Sequence, residues 1–413
     1  MKKPMKLIQT AILAALLSAG TLSACAQTPV TATGPLEQPT VDAVEAPVVV
    51  GAARTNVYVP MLRGKRIGLF SNHTGMVGER HTLDVMLDSV LDVRMLFSPE
   101  HGFRGTADAG EHVAGGIDEP SGLPLVSLYG VPPERVLTDS LMNGLDVVVV
   151  DIQDVGLRYY TYYCTMLELM NAAARTGKSV VVLDRPNPNG MTVDGPILDM
   201  RYSSGVGRLP IPVVHGMTLG ELARMANGKG WLKEGRTVEL EVVPCENYTH
   251  STRYRLPVAP SPNLRTMRAI YLYPSMCYFE ATPVSLGRGT DKPFEIYGHP
   301  LMSGREFSFT PASVPGAKNP PQLGNLCHGV DLSGIDEEAA IAQGINLEYL
   351  IDAYRDLDMG DGFFRSFFEK LIGRGDIRGM IEQGMSADEI KATWADDVEA
   401  FRRDRAPYLI YPE

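Results

Sequence analysis

From Gly64 onward the chain alternates between short, almost continuous apolar runs and longer stretches whose apolar residues recur three and four positions apart. The short runs at 65–70, 93–97, 125–128, 145–150, 179–183 and 211–214 have the length and β-branched content of buried strands, and a continuous run marks a strand covered on both faces. The segment 238–243 alternates and reads as one more strand. Helical spacing is carried by Leu83, Met86, Leu87 and Val90, and by 162–175, which Gly177 stops. Thr218 with Glu221 three residues on announces a capped helix over 219–226. Alternating strands and helices predict an α/β, Rossmann-like, mostly parallel sheet domain over 51–236. No Gly-x-Gly-x-x-Gly follows the first strand, so no dinucleotide is expected, and no cofactor of any kind. Beyond about residue 237 the texture changes to a smaller α+β domain, 237–413. It ends in helices over 347–357, 363–372 and 385–403.

The first 50 residues read differently. Lys2, Lys3 and Lys6 precede an apolar stretch at 7–17, and Leu22-Ser23-Ala24-Cys25 resembles a bacterial lipobox. Residues 1–25 are therefore expected to be a lipoprotein-type signal ending at Cys25, the lipid attachment site, and 26–50 a flexible tether. The protein would be exported, periplasmic or at the cell surface, and held to a membrane through its N-terminal lipid alone. No later apolar stretch reaches the length of a membrane span. A formal charge of -11 without a Lys/Arg run argues against nucleic acid as a partner. Cys164, Cys245, Cys277 and Cys327 read mainly as small core residues, with a bridge among the last three open to an exported chain.

Candidate chemistry sits at the strand ends. Asn72 follows the first strand, Glu100 and His101 the second. Asp151 and Asp154 follow the run at 145–150, and Asp184, Arg185 and Asn187 follow 179–183. His215 follows 211–214. In a parallel sheet these carboxyl ends share one edge, where ligands bind. The loop at 285–295 adds Arg288, between two glycines, and Asp291; it lacks Walker spacing but offers a cation for an anion.

Ser98-Pro99-Glu100-His101-Gly102, Asp151-Ile152-Gln153-Asp154-Val155-Gly156, Asp184-Arg185-Pro186-Asn187-Pro188, His215-Gly216-Met217-Thr218, Pro260-Ser261-Pro262-Asn263 and Gly287-Arg288-Gly289-Thr290 occur in that order. Together they resemble the NamZ-type exo-β-N-acetylmuramidases, a family of formerly unknown function that includes the YbbC-like proteins. The resemblance spans about 64–413. It implies a Rossmann-like domain with a smaller companion, an active site between them, and release of N-acetylmuramic acid from non-reducing ends of peptidoglycan fragments. It places the catalytic carboxyl at Glu100. The chain departs from the pattern before Pro260, where tryptophans are expected and Tyr248 and Val258-Ala259 stand instead.

Glycoside cleavage needs a proton for the leaving oxygen and support for an oxocarbenium-like centre. A general acid near neutral pH needs a raised pKa, from burial or a neighbouring carboxylate. Glu100, flanked by Phe97 and Phe103, is the candidate acid. Glu280, Asp151 and Asp154 are candidates for the second carboxyl, unless the N-acetyl group itself assists. His101 either orients Glu100 or bonds a sugar hydroxyl. Selecting muramic acid over glucosamine calls for a cation against the lactyl carboxylate, from Arg158, Arg185 or Arg288. Tyr159 and Tyr162 are candidates to stack on a pyranose. Asn72, Asp184, Asn187, His215, Asn263 and Asp291 complete the expected substrate-binding set. Two other classes fit the same residues: a non-catalytic lipoprotein binding a cell-wall sugar, and a metal-dependent hydrolase using His73, His101, His215, Asp151 and Asp154. No His-x-His or His-Glu-x-x-His spacing supports a metal, and none is expected.

Overall fold

The apolar runs form the centre of a seven-stranded sheet in the computed structural model, which describes residues 46–100, 102–104 and 115–413. In chain order its strands are β1 (Arg66–Ser71), β2 (Asp92–Ser98), β3 (Gly116–Asp118), β4 (Leu123–Ser127), β5 (Val147–Asp151), β6 (Ser179–Leu183) and β7 (Leu240–Val243). The spatial order is β3-β4-β2-β1-β5-β6-β7. Every pairing is parallel except β3 with β4 at one edge. The strand order reverses between β1 and β5, which is the switch point of a doubly wound sheet.

Alternate residues of β5 explain why its sequence shows no polar face. Val147 and Val149 pack with Tyr58 and Leu62 of α1 (Thr55–Leu62) and with Leu83 and Met86 of α2 (Thr82–Asp88). Val148 and Val150 join a larger core with Met166 and Leu169 of α3 (Tyr162–Thr176) and Leu222 of α4 (Leu219–Gly228). Both faces are covered, so both lose water-exposed apolar area. Gly177 closes α3 in the left-handed conformation at φ +66°, where a Cβ would be strained. The Thr218–Glu221 capping box opens α4.

The larger core runs on into the second half through Phe279, Tyr297, Phe363 and Phe368. Here β8 (Ile296–His299), β9 (Phe307–Phe309) and β10 (Cys327–Asp331) form an antiparallel sheet ordered β8-β10-β9. Around it lie α5 (Met267–Met276), α6 (Glu348–Leu357), α7 (Phe368–Ile372), α8 (Ala387–Ala392) and α9 (Ala395–Arg405). The fold is thus a mostly parallel sheet with helices followed by a smaller antiparallel α+β region, the class expected from the sequence.

Several elements differ from expectation. Residues 211–214 make no strand; Val214 forms isolated bridges with Leu157 and Asp194, because Pro210 and Pro212 remove two ladder donors. The tail at 385–403 is two helices, broken where Trp394 turns inward and its Nε1 donates to Asp194. Within 363–372 the α-helix covers only Phe368–Ile372. Residues 46–50, the end of the expected tether, lie against the fold, with Val49 and Glu246 exchanging backbone hydrogen bonds of 3.0 and 2.8 Å. Cys164, Cys245, Cys277 and Cys327 are all buried and unpaired, so no bridge forms among them. The signal segment and Cys25 lie outside the described residues. Among the described residues no helix is long and apolar enough to cross a membrane.

Candidate active site

At the β1/β5 switch point the strand-end residues bond one another. The Asn72 Nδ2 donates to the Tyr162 hydroxyl at 3.0 Å, and the Asn72 Oδ1 accepts from the Thr74 amide and hydroxyl. Thr74 Oγ1 in turn accepts from the Gln153 amide at 3.0 Å. Tyr160 and Tyr162 both donate to the Pro260 carbonyl, so the Pro-fixed turn of the second half seats on this ladder. The crevice directly over the switch point is thereby filled, and the open cleft lies beside it, over the ends of β2 and β4.

That cleft has a volume of about 1010 Å³ and draws its walls from both halves of the chain. Glu100, just beyond β2, stands half-buried in its wall. Tyr129 lies just beyond β4, and Tyr159, Tyr160 and Tyr162 at the start of α3 form an aromatic floor. The second half supplies Tyr273, Glu280, Arg288, Phe294 and the loop 316–321. Arg288 donates to Glu280 at 2.7 Å and lies 5.0 Å over the Phe294 ring, so the guanidinium is fixed from two sides. The Glu280 carboxylate beside it raises its pKa against the cost of burial. Asn263, buried behind the wall, donates to the Gly316 carbonyl and holds that loop in place.

Of the residues expected from sequence, the structure brings Glu100, Glu280, Arg288, Tyr159 and Tyr162 together in the cleft. The others are placed elsewhere. Asp151 is fully buried and bound by Arg185 through two hydrogen bonds of 2.7 and 3.0 Å; Arg185 also donates to the Met76 carbonyl. Neither lines the cleft, and each answers the other's charge. Arg158 is fully buried and donates to the carbonyls of Pro196, Ile211 and Leu371, tying the first half to α7. Asp184 accepts from Thr218, the Gly220 amide and Tyr411. Asn187 braces its own loop through Asn189 and Met217. His215 accepts from the Met217 amide and is held neutral, its pKa pushed down to about 3 by burial and by Arg405. Asn72 reaches the cleft only through Tyr162, and Asp291 is exposed outside the cleft wall. His101 lies outside the described residues. Among the described residues no three His, Cys, Asp or Glu side chains gather to hold a metal ion.

Sequence reasoning missed Tyr129, Tyr160, Tyr273, Arg208 and Lys318 as cleft residues. Tyr129 alone carried a usable signal: it follows a strand in the same sheet that delivers Glu100.

Asp154 is a special case behind the floor. Its Oδ1 accepts from the Gly156 amide at 2.7 Å, while its buried Oδ2 has no partner. Burial pushes its pKa up to about 7, with the Gly156 and Val155 amides pulling the other way. A carboxyl whose pKa rises on folding binds its proton more tightly in the folded chain. Its contribution is therefore present at low pH and lost as pH rises from ~4 in the unfolded chain through about 7 in the folded one. Asp154→Asn removes this titration. The melting temperature of the variant is expected to gain on the parent between about pH 5 and about pH 8. A constant difference across that range would place the burial penalty on another group.

The comparisons agree with one another. Residues 67–268 match the N-terminal domain of exo-beta-N-acetylmuramidase NamZ, and residues 271–411 match its C-terminal domain. The chain is 39% identical over 377 residues to the peptidoglycan beta-N-acetylmuramidase NamZ of Bacillus subtilis (strain 168), covering 86% of this chain and 89% of that protein. A crystal structure of a DUF1343 family protein from Bacteroides fragilis superposes with a TM-score of 0.83 at 57% identity, covering 89% of this chain and all (100%) of that one. A second DUF1343 family protein of the same organism gives a TM-score of 0.75 at 27% identity, covering 88% and 99%. With both domains matched in order over nearly all of the described fold, this chain belongs to the exo-beta-N-acetylmuramidase NamZ family.

Proposed function

We propose that the chain is an exo-acting glycoside hydrolase that releases N-acetylmuramic acid from the non-reducing ends of peptidoglycan fragments, with Glu100 as general acid. One observation carries this reading: in a chain of this family, Glu100 stands half-buried in the wall of a cleft that also holds a second carboxylate, Glu280, and its paired cation, Arg288. The cleft is at the upper end of the ~300–1,000 Å³ range of small-molecule sites and has room for a disaccharide. Glu100 gives its proton to the glycosidic oxygen as the bond to the sugar carbon breaks. Glu280 is the second carboxyl: of the candidates Glu280, Asp151 and Asp154 it is the one that lines the cleft. Asp151 and Asp154 do not line the cleft. The floor tyrosines offer an apolar face to the pyranose.

Arg288 selects the muramic acid. A guanidinium has five N–H donors in a fixed fork; one of them donates to Glu280, and a lactyl carboxylate suits the same fork. The N-terminal sequence supports export and tethering at Cys25, which would hold the cleft where cell-wall fragments are released.

The test is incubation with a muramic-acid-terminated disaccharide and mass analysis of the products. Free N-acetylmuramic acid is the expected result; a saccharide that binds but stays intact over hours would favour a non-catalytic binding protein. In the same assay, Arg288→Ala is expected to lower kcat/KM roughly 10- to 100-fold on the muramic-acid substrate, from loss of a charge-assisted hydrogen bond of about 1.5–3 kcal/mol. Activity on a glucosamine-terminated analogue should fall less, by the share due to Glu280 losing its Arg288 partner. Equal losses on both would remove Arg288 from sugar selection.

A further inference from the structure

The strands β2 and β4 are parallel neighbours with Ser98 opposite Ser127, and the Leu128 amide extends the ladder by donating to the Ser98 carbonyl at 2.9 Å. Two residues beyond the matched pair on each strand come Glu100 and Tyr129. Register alone therefore sets them side by side at the same level of the sheet edge, and both line the cleft. From the register of β2 and β4 we infer that Tyr129 is a positioning residue for Glu100: its phenol donates to the carboxylate that forms as Glu100 gives up its proton. This inference rests on Glu100 being the general acid.

The phenol suits the task. Half-burial, then the Glu100 carboxylate, then Glu280 push its pKa up to about 12, so it keeps its proton across the working range. It acts as a donor and is not itself an acid that competes for the leaving group. The other groups facing this pair come from separate elements. Tyr162 of α3 lies within electrostatic reach of both Glu100 and Asp154. Glu280, after α5, faces Tyr129 and is neutralised by Arg288. Arg208, Glu168 and Lys318 also line the cleft.

When Glu100 protonates the glycosidic oxygen, the bond from that oxygen to the sugar carbon breaks and negative charge appears on Glu100. A donor held at the carboxylate stabilises that charge and so favours the form that has given up its proton. Tyr129 neither gains nor loses a proton in the step.

The test is the pH dependence of kcat on a muramic-acid-terminated disaccharide, measured for the parent, Tyr129→Phe and Glu100→Gln. Tyr129→Phe keeps the ring and removes the donor. Its kcat is expected to fall roughly 10-fold near the optimum with KM within about twofold. The alkaline limb, where the acid form of Glu100 is lost, should move to higher pH by about one unit. A uniform loss at every pH with the limb unmoved would overturn the inference and leave Tyr129 a packing residue. Tyr129→Gln restores a donor on a shorter side chain and should return the limb toward its parental position; a limb displaced as far as in Tyr129→Phe would also overturn it. Glu100→Gln separates the two levels. If Glu100→Gln keeps its activity, the general-acid assignment fails. If Glu100→Gln is inactive and the limb of Tyr129→Phe does not move, only the role of Tyr129 fails.

Discussion

Glu100→Gln is expected to lower kcat on a muramic-acid-terminated saccharide by about 10²–10⁴-fold, the usual contribution of a positioned acid. KM and melting temperature should stay close to the parent. The reasoning is local. Gln has the shape of Glu and still fills the half-buried position beside Tyr129, but it has no proton to give the glycosidic oxygen. Glu100 follows Pro99 at the end of a buried strand, so its backbone is set by β2 and not by its own side chain. A fall in kcat with KM unchanged is the signature of an interaction made only in the transition state. A variant that kept most of its turnover would shift the acid to another cleft carboxyl, Glu280 first.

The second large effect concerns stability. Asp151→Asn is expected to cost about 3–5 kcal/mol, read as a lower urea midpoint with an unchanged slope. Arg185 and Asp151 are 3% and 0% exposed, and their two hydrogen bonds join the ends of β5 and β6. Removing the negative charge leaves a guanidinium out of water that faces, among the described residues, a neutral amide oxygen and the Met76 carbonyl. Replacing both residues together, Asp151→Leu with Arg185→Met, removes the stranded charge and should recover much of the loss. If the double variant is as unstable as the two singles added, the pair is not coupled, and the cost arises from packing at the strand ends.

The same two residues show how far the sequence could be read. Five of the seven strands were visible as apolar runs, the texture of strands covered on both faces, and β7 as an alternating segment. β3 was hidden, three residues long inside a Gly- and Asp-containing stretch. The polar strand ends were visible too, and they do share one edge. What the linear sequence did not carry was their division. Asp151, Arg185, Asp184, Arg158 and His215 have the composition of a site but are engaged within the fold: Asp151 with Arg185, Asp184 with Thr218, Gly220 and Tyr411, and Arg158 and His215 with backbone groups. A strand end must satisfy its unpaired backbone as well as serve a ligand, and both needs select the same residue types. Glu280 and Arg288 were legible as chemistry but not as neighbours of Glu100, since the distance in sequence exceeds any local pattern. Nothing in the sequence sets Tyr273 apart, and the cleft alone marks it.

The separate origins of the cleft walls bear on how such an enzyme diversifies. Glu100 and Tyr129 follow strands of the seven-stranded sheet, whereas Glu280, Arg288 and the loop 316–321 belong to the later half of the chain. Under the proposed roles, substitutions around Arg288 and the loop 316–321 would change which saccharide is admitted while Glu100 and Tyr129 stay on the sheet. A chimaera carrying the second half of a relative would then inherit that relative's choice of sugar.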